Sequence, residues 1–289
     1  MKFNIVVIDP PNYAYTHFLF DTIKYLSYGL ESLGHDCYIS KNKFDSGRIN
    51  IIFGGHNITK FSIVSAILQS KLNYIVLQSE IVRHETINTQ TNKEQFTNIY
   101  LPLLENAIEV WDANSINLGV LNRMGIKVEL FRLGYHSAME EILDKNTQDI
   151  DFLFFGSITP HRKEMLDLLA KEKFKTEIVF DPVAFYRNDL IARSKIILNI
   201  RQGDNMPQLP YTRIVYAVNN KKLVISENCE DQEWLEDIFL HTETEKFIDL
   251  CIETIERNDS KKIGLSFYEK LTRKPMTGYL KPILKNLKS

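Results

Sequence analysis

Short apolar runs alternate with longer amphipathic segments along the whole chain. Residues 4–9, 37–39, 50–53, 74–77, 107–111 and 127–131 read as strands. Between them lie segments of helical period, at 17–33, 60–70, 96–106 and 115–124. Gly34 and Gly125 close two of those helices, as C-terminal glycines do. The segment 83–95 is polar and reads as a loop. Residues 132–150 interrupt the rhythm, and it then restarts: strands at 151–155 and 176–180, helices at 161–171 and 184–193. The clearest unit is Ser194 to Glu227. Ile196-Ile197-Leu198 with Ile200 has the β-branched character of a buried parallel strand. Gly203, Asp204, Asn205, Pro207 and Pro210 then stop regular structure. Thr212 can cap a helix with Ile214, Val215, Ala217 and Val218 inward. Leu223-Val224-Ile225 is the next strand. Residues 229–240 read as irregular, 243–257 as an amphipathic helix, and 262–289 as a basic tail. Strands alternating with helices predict an α/β fold: two Rossmann-like, doubly wound parallel sheets.

A strand–loop–helix–strand unit puts its loop and helix N-terminus at the carboxyl edge of the sheet, where open α/β folds bind ligands. A helix N-terminus offers unpaired N–H groups and partial positive charge. Arg213 falls in the first turn, where a cation opposes the helix dipole. Together with Arg201, just before the loop, it makes better sense with an anion in front of it. A diphosphate fits. Their alternative is a pair of ordinary salt bridges.

Composition narrows the class. Apolar residues make up 44% and charged residues 25%, a globular balance. A formal net charge of -2 argues against a broad nucleic-acid surface. Three cysteines, Cys37, Cys229 and Cys251, are too few and scattered for a disulfide framework or a zinc site. No apolar run approaches the roughly 20 residues of a membrane span. The first residues enter a strand directly, so a cytoplasmic location without a signal peptide is the expectation.

Three local patterns resemble GT-B glycosyltransferases. The stretch 109–115 with Asn117, Leu121 and Gly125 is similar to the last β–α–β unit of their N-terminal domain. Phe155-Gly156-Ser157 with Arg162 and Lys163 resembles the first turn of their C-terminal domain, which approaches the nucleotide-sugar diphosphate. Tyr211-Thr212-Arg213, followed by 223–227, resembles the donor-site helix and strand. The paired glutamates that many retaining members carry around that helix are missing here: no acid lies between Asp204 and Glu227.

The resemblance implies a division into an acceptor domain over 1–135, a linker over 136–150, a donor domain over 151–260, and a helical tail over 261–289 that could pack back on the first domain. The two sheets would face each other across a cleft. It implies transfer of a sugar from a nucleotide-diphosphate sugar to an acceptor hydroxyl, inverting or retaining, with no metal and no cofactor beyond the donor. Donor ligands would come from Gly156, Ser157, Arg162, Lys163, Arg201, Tyr211, Thr212, Arg213 and Glu227. Gly134, Tyr135 and His136 would lie at the junction between domains. An inverting transfer needs a general base, and Glu80, His56 and Asp9 end strands of the first half, with His17 and the tyrosines of 13–15 nearby. The acceptor stays open among a glycan, a lipid-linked glycan, a small molecule and modified DNA bases. A sugar-nucleotide epimerase and a non-catalytic nucleotide-sugar-binding protein are the alternatives on the same architecture.

Overall fold

Strands buried on both faces pair in parallel because their connecting helices cover the sheet. A computed structural model of the 289-residue chain describes residues 1–11, 19–83, 86–87, 92–143, 145, 147–180 and 184–287. The tyrosines at 13–15 and His17 lie outside the described residues. Two compact units result: Met1–Arg132 with Met276–Ser289, and Leu133–Pro275.

The first unit carries β1 (Lys2–Val7), α1 (Phe20–Ser32), β2 (Asp36–Lys41), β3 (Ile49–Phe53), α2 (Phe61–Gln69) and β4 (Tyr74–Gln78). A small hairpin follows, β5 (Val82–Arg83) and β6 (Thr86–Ile87), which runs into the segment expected as loop. Then come α3 (Lys93–Gln95), a π turn (Phe96–Tyr100), α4 (Leu101–Glu105), β7 (Glu109–Asp112), α5 (Leu118–Arg123) and β8 (Val128–Leu130). The sheet order is β2-β1-β3-β4-β7-β8, parallel throughout. The chain therefore reverses its direction of travel between β1 and β3. Val6, Ile52, Val76 and Val110 share one core with Val64, Phe96, Tyr100, Leu103 and Leu121. Beyond the second unit, α11 (Met276–Asn286) returns to pack on α1.

The second unit contains β9 (Ile150–Phe155), α6 (Pro160–Leu169), β10 (Thr176–Val179), α7 (Ala184–Arg193), β11 (Ser194–Asn199), α8 (Tyr211–Asn219), β12 (Leu223–Glu227), β13 (Leu240–Thr242), α9 (Phe247–Glu256) and α10 (Ser260–Thr272). Its sheet, β10-β9-β11-β12-β13, is also parallel, with the reversal between β9 and β11. β13 begins on the last residue of the stretch read as irregular; it is three residues long and only half-buried, so it leaves no apolar run. Thr212 is not the cap of α8. The cap position falls two residues earlier, on Pro210, and the helix starts at Tyr211, because the Pro210 carbonyl already accepts Arg213 N–H at 3.0 Å. The basic tail is partly tied down: Lys274 Nζ donates to Trp234 O at 2.9 Å and pairs with Asp237 Oδ1 at 2.6 Å.

Gly264 on α10 lies against the turn between α8 and β12. A Cβ there would sit 2.8 Å from Lys221 O and 2.9 Å from Leu223 N. Alanine is the better helix former by about 1 kcal/mol, but these are backbone atoms and cannot swing away. Gly264→Ala should therefore cost about 1–3 kcal/mol, read as a lower urea midpoint at unchanged slope.

Candidate anion site of the second unit

The carboxyl ends of β9 and β11 flank the point where the sheet order reverses. β9 ends in Phe154-Phe155, and Gly156 follows with φ +149°. A Cβ at Gly156 would meet Arg213 Nη2 at 2.5 Å, so glycine lets the backbone and that guanidinium meet. Arg213 reaches in from the first turn of α8. Its Nη1 donates to Asn199 Oδ1, the last residue of β11, at 2.7 Å. Its Cζ lies 5.2 Å from the Phe154 ring centroid and 5.4 Å from that of Phe155. Among the described residues its Nε is buried with no partner. Burial pushes its pKa down to about 9, and neighbouring Arg162 adds to the shift.

Arg162, in the first turn of α6, is buried at 3% exposure. Its Nε donates to Ile200 O at 2.9 Å, and its Nη1 to Ser157 O at 3.0 Å and Ser157 Oγ at 3.2 Å. It thus ties the loop after β9 to the end of β11. Its Cζ lies 5.3 Å from the same Phe154 ring. Burial lowers its pKa to about 10, against the pull of Glu227. Both groups stay cationic at neutral pH. Among the described residues, neither guanidinium is within ion-pair distance of a carboxylate. Two like charges that share one aromatic ring, both partly desolvated, repel each other.

Glu227 is fully buried at the end of β12. It accepts Arg201 N–H at 2.7 Å and Thr244 Oγ1–H at 2.8 Å, and His161 Nε2 lies 2.9 and 3.1 Å from its two oxygens. Both carboxylate oxygens are therefore engaged in joining three loops. Arg201 Nη2 donates to Thr244 Oγ1 at 2.9 Å, while its Nε is buried without a partner among the described residues. Lys163 points the other way, paired with Asp167 at 2.5 Å on an exposed surface. Tyr211 is buried at the start of α8, with Thr212 half-buried beside it. Tyr135 and His136 lie at the opposite end of α8. His136 N donates to Asn219 Oδ1 at 3.1 Å, and Tyr135 OH to Glu140 Oε1 at 2.6 Å. Gly134, just before them, is buried. An Asp-x-Asp spacing, Asp149 and Asp151, sits at the amino end of β9 and is taken up by Arg193, Lys175 and Lys195. Among the described residues no group of three or more His, Cys, Asp or Glu could hold a metal ion.

The general-base candidates belong to the first unit. His56 is buried beside Tyr100, ring centroids 6.3 Å apart. Burial lowers its pKa, and the charge of Glu80 opposes the shift. Glu80 is presented by a loop that Asn117 clamps: Asn117 Nδ2 donates to Glu80 O at 2.7 Å and its Oδ1 accepts Val82 N–H at 2.9 Å. Asp9 is paired with Lys41 at 2.8 Å. The charge of Glu80 thus reaches His56, while Asp9 stands in a separate ion pair. Asn199, Thr244 and His161 were not singled out from the sequence, and Asn117 entered only as part of the β–α–β resemblance. Asn199 carries the same signal as Glu227, a polar residue closing an apolar strand. Thr244 and His161 carry none, since only the fold brings 161, 227 and 244 together.

The sequence matches no protein-family profile and no curated protein. Solved structures do match. A DNA-modifying β-glucosyltransferase, described with its substrate uridine diphosphoglucose, aligns over 100% of both chains with a TM-score of 0.62 at 11% identity. AviGT4, a glycosyltransferase involved in avilamycin A biosynthesis, aligns over 99% of this chain and 96% of its own with a TM-score of 0.59 at 10% identity. TarM aligns with a TM-score of 0.60 at 13% identity over 91% of this chain, which spans only 57% of TarM. The fold is that of the GT-B glycosyltransferases, built from two Rossmann-like units with parallel sheets of six and five strands. No helix among the described residues is long and apolar enough to cross a membrane.

Proposed function

We propose that this chain is a glycosyltransferase that moves a sugar from a nucleotide-diphosphate sugar to an acceptor hydroxyl. One observation carries the reading: the guanidinium groups of Arg213 and Arg162 share the Phe154 ring beside Gly156, without a carboxylate partner. Breaking the bond between sugar and diphosphate leaves charge on the departing phosphate. Arg213, with its unpartnered Nε, and the N-terminus of α8 would meet that charge, with Arg201 beside them. Arg162 holds the two loops in register from below. Guanidinium groups take the part a metal ion plays in other transferases, so donor binding should need no divalent cation. Glu227 serves as the brace of this site, because its oxygens are already bonded. His56 or Glu80 would take the acceptor proton.

The test is a thermal-shift screen in EDTA against UDP, GDP, ADP, CMP and TDP. A nucleoside diphosphate at about 100 times its Kd should stabilise the protein by about 2.7 kcal/mol. A melting temperature that no diphosphate moves would end this reading.

A further inference from the structure

In the first unit, α11 and the turn after α1 form a groove of about 470 Å³, lined by Leu33, His35, Lys281, Pro282, Leu284 and Lys285. That volume falls within the range of about 300–1,000 Å³ usual for ligand pockets. Leu33 and His35 join α1 to the start of β2, so the groove lies at the amino edge of the sheet. Ligands of open α/β folds bind at the other edge, and the glycosyl-transfer reading gives this one no task. Its walls are held close together. A Cβ on Gly29 would lie 2.6 Å from Leu280 Cδ1 and 2.8 Å from Met276 Cγ, so glycine lets α11 sit tightly on α1. Pro282 stands inside α11, where a proline removes a helix hydrogen bond. Its exposed ring forms part of the groove wall instead.

The lining has two characters. Leu33, Pro282 and Leu284 are apolar, while Lys281 and Lys285 are exposed cations one turn apart on one face of α11. Neither lysine has an ion pair among the described residues. Like charges at that spacing repel each other. The last turn of a helix suits a cation, which accounts for Lys285; Lys281 lies a turn earlier. No acidic side chain among the described residues lines the groove. Of the acids flanking it in sequence, Asp36 pairs with Arg48 at 2.8 Å and Glu31 stays exposed outside the lining. His35 adds a donor. Its Nδ1 accepts from the Met1 amino group at 3.2 Å, which puts the ring proton on Nε2. Inorganic phosphate alone would leave the apolar wall in water, and a neutral hydrocarbon would leave the lysines unanswered. A second copy of the chain would set the lysines against themselves. We infer that this groove binds an anionic amphiphile, a phosphate or carboxylate head held by Lys281 and Lys285 with a hydrocarbon tail on Leu33, Pro282 and Leu284. Such a molecule is either free or part of a bilayer, and the test separates the two.

Isothermal titration of the full chain would use octyl phosphate below its micelle concentration, with inorganic phosphate and octanol as its separate halves. Octyl phosphate should bind about tenfold or more tightly than either half. The double variant Lys281→Glu/Lys285→Glu should weaken it by about tenfold or more, the worth of one charge-assisted hydrogen bond. Its melting temperature should match the parent's, since neither lysine is paired. Arg213→Ala should leave octyl phosphate binding unchanged. Vesicle sedimentation identifies the source. Recruitment to phosphatidylglycerol but not phosphatidylcholine vesicles, lost in the double variant, assigns the head to a bilayer; octyl phosphate binding without recruitment assigns a free amphiphile. The inference is overturned if octyl phosphate binds no better than inorganic phosphate, if the double variant binds it as the parent does, or if a short DNA duplex displaces it. Diphosphate binding is read separately, so the donor reading and this one can each fail alone.

Discussion

Arg213→Ala should lower kcat/KM for donor turnover by about 10²–10³-fold, the usual loss on removing one preorganised charge stabiliser. The same substitution should leave the unliganded protein as stable as before, or more so. Among the described residues the side chain makes one hydrogen bond, to Asn199 at 2.7 Å, and leaves a buried Nε without a partner. Its pKa is pushed down to about 9, first by burial and then by Arg162, so the folded state opposes its charge. Removing it relieves both terms and frees Arg162 from a like-charged neighbour. A residue kept for folding would show the opposite pattern, lost stability with little change in donor kinetics. Three measurements decide: the melting temperature without ligand, the shift with diphosphate, and kcat/KM. Arg213→Lys should recover only part of the activity, since an ammonium cannot present the planar fork that grips phosphate oxygens. Turnover near the parental rate in Arg213→Ala would remove this residue from the donor site.

Both sheets were legible in the sequence because their central strands are buried on two faces. Runs such as Ile196-Ile197-Leu198 and Leu223-Val224-Ile225 pair in the register their apolar lengths allow. Elements held by tertiary contact were not legible. β13 pairs with β12 through Leu240, His241 and Thr242, a triplet with no strand signature of its own. The start of α8 lies two residues before the one a Thr212 cap predicts, because the Pro210 carbonyl already accepts the Arg213 N–H. At the site, a glycine directly after a strand and an arginine against the helix dipole were visible as local oddities. Their meeting was not: Gly156 and Arg213 are 57 positions apart, and only the reversal between β9 and β11 brings them to one edge. Glu227 shows the other limit. The resemblance put it among the donor ligands, and in the fold its carboxylate meets His161, Thr244 and the Arg201 amide.

Gly156→Ala should damage donor binding through geometry alone, with no charge removed. Two costs act at this position. The backbone φ of +149° lies in a region almost closed to residues with a Cβ, worth about 1–3 kcal/mol. The new methyl would also lie 2.5 Å from Arg213 Nη2, far inside contact distance. Between a strand-end backbone and the tip of a long side chain, the tip moves. Moving it breaks the bond to Asn199 and lifts the guanidinium off the Phe154 and Phe155 rings. Stability should therefore fall by the backbone term, and diphosphate affinity by about tenfold or more, one charge-assisted hydrogen bond. The double variant Gly156→Ala/Arg213→Ala separates the two costs. With the guanidinium gone, the methyl has nothing to displace, so the two effects on affinity should fall short of their sum by about 0.5–3 kcal/mol, as coupled neighbours do. Strict additivity would mean that the loop glycine and the helix arginine act on the ligand independently, and the shared anion site would have to be given up.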